Sequence, residues 1–188
     1  MATNPFEGKV AIVTGASLGI GRATALALAE QGACVALASR NSQTLSGLAE
    51  DLRRRGKQVL VITTDVTQQD QVQALVREVV AQWGRVDILV SNAGEYIRAP
   101  ITELDPATIQ RSLNINFFGG VYCVKAVLPH MLAQKSGHIV FVTSMDGKIG
   151  LPPEYKWATR RISSVRPFTR VKTSSLSSAF VAFATASK

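Results

Sequence analysis

Cysteine is scarce in this 188-residue chain: there are two, Cys34 and Cys123, each inside an apolar stretch. That excludes a disulfide framework and gives no zinc-ligand spacing. With only two histidines, His130 and His138, no metal site is expected. A reducing, cytoplasmic setting fits this cysteine usage. No run approaches the roughly 18 apolar residues of a membrane span, and the start, MATNPFEGK, has no charged-then-apolar leader. Acidic residues are missing from the whole end of the chain: all 13 lie at or before Glu154. Residues 156–188 carry seven of the 21 Lys and Arg side chains and no Asp or Glu. Of the net charge of +8, +7 therefore sits in that tail and +1 in everything before it. The basicity belongs to the tail.

What is present is a regular alternation. A length of 188 residues with 46% hydrophobic content suits one globular domain. Residues 9–13 form a short β-branched apolar run ending in Thr14-Gly15, the pattern of a buried strand. An alanine- and leucine-rich helix is expected over 20–30. A second strand follows at 34–38, then a helix at 42–55 with Leu45, Leu48 and Leu52 at helical spacing and Gly56 closing it. A third strand (59–63) precedes a helix from about 68 to 83, with Val72, Leu75, Val76 and Val79 as its apolar stripe and Trp83 as a core residue at its end. Strands at 86–90 and 139–142 bracket a long helix, about 114–134, with a shorter one near 106–112. Pro129 is expected to bend or shorten the long helix. Alternation at this rhythm calls for an α/β fold, a parallel sheet with helices on both faces and right-handed crossovers. After Gly150 no helical or strand period survives; the serine- and threonine-rich tail leans towards disorder. The expected division is thus a nucleotide-binding domain over 1–154 and an atypical basic segment over 155–188.

The segment TGASLGIG joins the first strand to the first helix. Gly15, Gly19 and Gly21 are spaced so that the backbone turns tightly and approaches a pyrophosphate. The amides of the helix start, near Ser17, Leu18 and Ile20, would face the anion. The same glycines would also serve a plain strand-to-helix turn; their place between first strand and first helix favours the nucleotide. At the end of the second strand stands Arg40, where an NAD-selective site would place a carboxylate for the ribose. Arg40 can pair with a 2′-phosphate through its planar fork, which favours NADP(H) over NAD(H).

These residues resemble the short-chain dehydrogenase/reductase family. TGASLGIG is similar to that family's TGxxxGxG turn, and Asp65, Asn92-Ala93-Gly94, Asn116 in NFFG and Ser144 follow in the family's order. The resemblance covers about residues 5–154. It implies a Rossmann-like, doubly wound, three-layer αβα fold, here without the usual last strands, and hydride transfer between nicotinamide and a carbonyl or alcohol. It also implies that Asp65, with Val66 beside it, holds the adenine, although Thr67-Gln68-Gln69-Asp70 reads equally as a capping box. Asn92, Ala93 and Gly94 would let the backbone pass beneath the cofactor. Ser144 would hold the substrate oxygen, and Asn116 would support a catalytic lysine through a water.

The proton relay departs from the family pattern. The family's YxxxK begins about thirteen residues beyond the serine; here that position is Trp157, with Arg161 four residues on. Tyr155 comes two residues early and is followed four residues later by Thr159, not lysine. Lys156 adjoins Tyr155 and on a helix would point about 100° away. Either Tyr155 serves with a substitute cation, or the relay is absent, and the loss of the family's downstream pattern favours absence. The leading expectation is an NADP(H)-dependent oxidoreductase with a small-molecule carbonyl or alcohol substrate. Its alternatives are a non-catalytic dinucleotide-binding protein, a truncated or frame-altered family member, and a basic module acting through the tail. That tail lacks the aromatic interleaving of a base-stacking platform, so no specific nucleic acid is expected. Pairing of two copies through the long helix is what the resemblance implies.

Overall fold

The computed structural model describes residues 4–97, 99–144 and 179–185. Five strands run parallel: β1 (Val10–Thr14), β2 (Cys34–Ser39), β3 (Val59–Thr63), β4 (Ile88–Ser91) and β5 (His138–Ser144), in the spatial order β3-β2-β1-β4-β5. Between them lie α1 (Gly19–Glu30), α2 (Ser42–Arg54), α3 (Gln69–Trp83), α4 (Pro106–Leu113) and α5 (Gly119–Gln134). A π-helical turn, Asn114–Phe118, joins α4 to α5. The expected elements are all found, within one or two residues at most ends.

Alternation along the strands builds two cores. In β1, Val10 and Ile12 join Val72, Leu75, Val79, Val127 and Met131 on the α3–α5 side. Ala11 and Val13 join Ala25, Leu28, Leu45 and Leu52 on the α1–α2 side. With successive side chains pointing to opposite faces, an all-apolar strand needs a helical layer on each. Each fully buried Leu or Val here contributes about 1.5–3 kcal/mol. The three-layer arrangement is the one expected. Gly56, at φ +72°, closes α2, as its sequence position implied.

Three local expectations need correction. Pro129 does not shorten the long helix; it sits inside α5, which runs to Gln134, the expected end. Val127 and Met131, on either side of it, are buried, and that packing holds the helix through the proline. Thr67 does not cap α3, whose N-cap is Gln68 without a side-chain hydrogen bond. Its hydroxyl turns back to Asp65 instead. Third, the tail contributes a strand: β6 (Ala179–Thr185) pairs antiparallel with β5, from His138 opposite Thr185 to Ser144 opposite Ala179. Its sequence, AFVAFAT, is apolar up to Thr185 and so shows no alternation, yet aromatic and β-branched residues suit a strand.

The 29-residue helical stretch Pro106–Gln134 is long and apolar enough, by length and composition, to cross a membrane, although it contains no unbroken apolar run of that length. In this fold its α5 part packs on the sheet through Cys123, Val127 and Met131. Burial pushes the Cys123 thiol up to about 12, so it stays protonated at neutral pH.

Candidate nucleotide site

Strand order reverses at β1, so the connections leaving β1 and β4 diverge and open a crevice at the carboxyl edge of the sheet. Thr14 organises its floor. Fully buried, its hydroxyl donates to Val90 O at 3.4 Å and accepts from the N–H groups of Asn92 and Ala93, both at 3.0 Å. The Asn92 amide returns the link, donating to Thr14 O at 3.0 Å and Gly15 O at 3.2 Å. The loops after β1 and β4 are therefore tied together.

That contact dictates the glycines. Gly15 has φ +65°, and a Cβ there would lie 2.8 Å from Asn92 Nδ2. A Cβ on Gly21 would collide with Gly15 O and Asn92 Nδ2. Gly19 differs: at φ +56° it has nothing within 4 Å of where its Cβ would stand, so its side faces open space. Helix α1 begins there without a side-chain cap and with no acidic residue in its first turn, whereas Asn41 caps α2 and Asp105 caps α4. The first N–H groups of α1 thus lack a side-chain cap, an arrangement that can receive an anion.

A cleft of about 300 Å³ adjoins this turn. Gly15, Ser17, Leu18, Arg40, Asp65, Val66, Asn92, Ala93 and Gly94 all line it. Gly19, Ile20 and Gly21 do not line it; Gly21 instead packs beneath the turn. Residues absent from the sequence-based set line it too: Ser39, Asn41, Thr64 and Ile115. Thr14, the first letter of the glycine motif, organises the floor of the cleft without belonging to that set.

Asn116 lies in the π-helical turn and does not line the cleft. Its Oδ1 accepts from Glu95 N at 3.0 Å, and its Nδ2 donates to Glu95 O at 2.9 Å and Ser112 Oγ at 3.2 Å. This side chain thus clamps the backbone just past Gly94, helped by an Arg111–Glu95 ion pair at 3.1 Å. A Cβ on Gly94 would stand 2.9 Å from Asn116 Oδ1. Ser144 is exposed at the end of β5, on the same edge of the sheet. Tyr155, Trp157 and Arg161 lie outside the described residues.

A sequence profile of the family described as short chain dehydrogenase matches residues 9–159. The chain belongs to the short-chain dehydrogenases. An uncharacterized oxidoreductase of Listeria monocytogenes is 35% identical to this short-chain dehydrogenase over 179 residues, covering 89% of this chain and 72% of the relative. The structure of gluconate 5-dehydrogenase from Burkholderia cenocepacia, solved with NADP and tartrate, superposes with a TM-score of 0.76 at 32% identity. That match covers 83% of this chain and 61% of the other. A 7α-hydroxysteroid dehydrogenase complexed with NADH and 7-oxo glycochenodeoxycholic acid gives a TM-score of 0.76 at 30% identity, covering 79% and 58%. The chain spans less than two thirds of the length of these two structures. Members of the family bind nicotinamide dinucleotides, and these two relatives carry different ones.

Proposed function

We propose that this short-chain dehydrogenase binds NADP(H) in preference to NAD(H), through Gly15, Ser17, Leu18, Gly19, Ile20, Gly21, Arg40, Asp65, Val66, Asn92, Ala93 and Gly94. The observation that carries the preference is Arg40: exposed at the end of β2, it lines the cleft beside Ser39 and Asn41. Ser39, Arg40 and Asn41 place no carboxylate at the end of β2 to accept from a ribose hydroxyl, and a guanidinium fork there matches a phosphate. A dinucleotide bound there would supply or accept the hydride. The uncapped start of α1 holds the pyrophosphate, Asn116 steadies the loop beneath the nicotinamide half, and Ser144 orients the oxygen of a carbonyl or alcohol substrate. Tyr155 is the candidate to exchange the proton at that oxygen.

A second reading is carried by the sequence around Tyr155, where Thr159 stands four residues on in place of lysine. Without a cation close by, a tyrosine keeps a pKa near 10 and gives up its proton slowly at neutral pH. The protein would then bind the dinucleotide without turning it over. In either reading residues 1–154 form the binding domain, and the sparse cysteines suit a reducing, cytoplasmic setting. Exposed Leu113, Phe117 and Phe118 on the α4–α5 side support pairing of two copies.

Fluorescence titration with NADPH and NADH tests the cofactor. Arg40→Ala is expected to weaken NADPH binding by about 10- to 100-fold and leave NADH unchanged; equal losses for both would overturn the preference. NADPH oxidation over a carbonyl panel then separates the two readings.

A further inference from the structure

Resting on the dinucleotide reading, we propose that Gln71 and Thr67 are positioning residues that give the site its selectivity for an adenine base. Asp65 and Val66 sit side by side on the cleft wall, in a turn that is fastened from several directions. The Asp65 N–H donates to Gln71 Oε1 at 2.8 Å, a side chain reaching back from the first turn of α3. Asp65 Oδ1 accepts from Thr67 N at 3.0 Å and from the Thr67 hydroxyl at 2.9 Å. Asp65 O accepts from Gln68 N at 3.0 Å. Beneath the turn, Val66 rests on α5 at Gly119, where a Cβ would come within 2.7 Å of Val66 Cγ2.

Two groups are left over. Among the described residues, neither Asp65 Oδ2 nor the Val66 N–H has a protein partner. They offer one acceptor and one donor on consecutive residues. Adenine presents the complement, an amino donor at N6 and an acceptor at N1. Hypoxanthine presents the reverse, an acceptor at O6 and a donor at N1, and so meets like with like on both contacts.

The selectivity depends on orientation. Gln71 fixes the peptide plane entering Asp65, and Thr67 fixes the carboxylate by occupying one oxygen. Loosening either lets the carboxylate rotate and accept from bases of either pattern. A side chain that merely stabilised α3 would act on both bases alike.

The test measures the affinity of the full chain for NADPH and for its hypoxanthine analogue, in wild type, Gln71→Met, Gln71→Glu and Thr67→Val. Wild type is expected to prefer NADPH. Gln71→Met and Thr67→Val should each shrink that preference by about 3-fold, while Gln71→Glu, which keeps an acceptor for the Asp65 N–H, should hold it within about 2-fold. Thr67→Val keeps the inference testable should Gln71→Met fail to fold. Met and Val variants that keep the wild-type ratio would overturn the positioning role, as would a wild type that binds both dinucleotides equally. A wild type that binds neither would instead overturn the dinucleotide reading itself.

Discussion

At the amino edge of the sheet one carboxylate closes the structure. Asp87, nearly inaccessible, accepts from the Val10 N–H at 3.0 Å and from Arg85 at 2.6 and 2.8 Å, with Lys9 at 3.6 Å. Its own N–H and C=O pair with Val10 and His138, so three neighbouring strand starts meet on one residue. At the carboxyl edge Thr14 and Asn92 also join two loops, but with neutral groups, and α1 is left uncapped. The difference separates holding from binding. Where every charge is answered by the protein, the edge adds stability; where donors face a cleft, the edge is open to the dinucleotide proposed for it.

Gly21→Ala should show the largest effect. The new methyl runs into Gly15 O, a backbone atom that cannot swing away, so unfolding stability should fall by about 3 kcal/mol and nucleotide binding should disappear. Denaturant unfolding and NADPH titration read the two losses together; a variant that binds normally would break the link between turn geometry and site. Next, Asp87→Asn should cost about 2 kcal/mol yet leave NADPH affinity within about 2-fold. Burial raises the Asp87 pKa, but the bonds from Arg85 and Val10 and the nearby cations outweigh it and hold the group below the ordinary aspartate value. Its contribution is present above about pH 4 and is lost as pH falls through the lowered folded value, so the variant's acid unfolding profile should be flatter than wild type's in that window. Smallest is Arg111→Ala. Its pairing with Glu95 is half-exposed, worth up to about 1 kcal/mol, while the Asn116 clamp keeps the loop in place; a thermal melt should shift only slightly.

Much of this was legible beforehand because it rests on period and spacing. The stripe Val72, Leu75, Val76 and Val79 is buried as its helical repeat requires, and Gly15 and Gly21 of TGASLGIG meet the neighbours that forbid a side chain. Other features depend on contacts between distant segments. Asp87 looks like any strand-flanking aspartate until Val10, 77 residues away, donates to it. Thr14 could pass for one more β-branched strand residue. Thr67-Gln68-Gln69-Asp70 has the composition of a capping box, but the turn gives the threonine a nearer acceptor in Asp65. The apolar patch at 179–184 does not declare itself a strand, because a continuous apolar run has no period to read.

The pairing of Ser144 with Ala179 has a consequence for engineering. Across antiparallel partners the two Cα atoms stand only about 4.5–5.5 Å apart, so the end of β5 and the start of β6 lie within reach of a tight turn. A turn of about four residues spans that gap. Replacing 34 residues by four would lower the entropy of closing the loop by about 2 kcal/mol, leaving a shorter chain in which β5 and β6 form an ordinary hairpin.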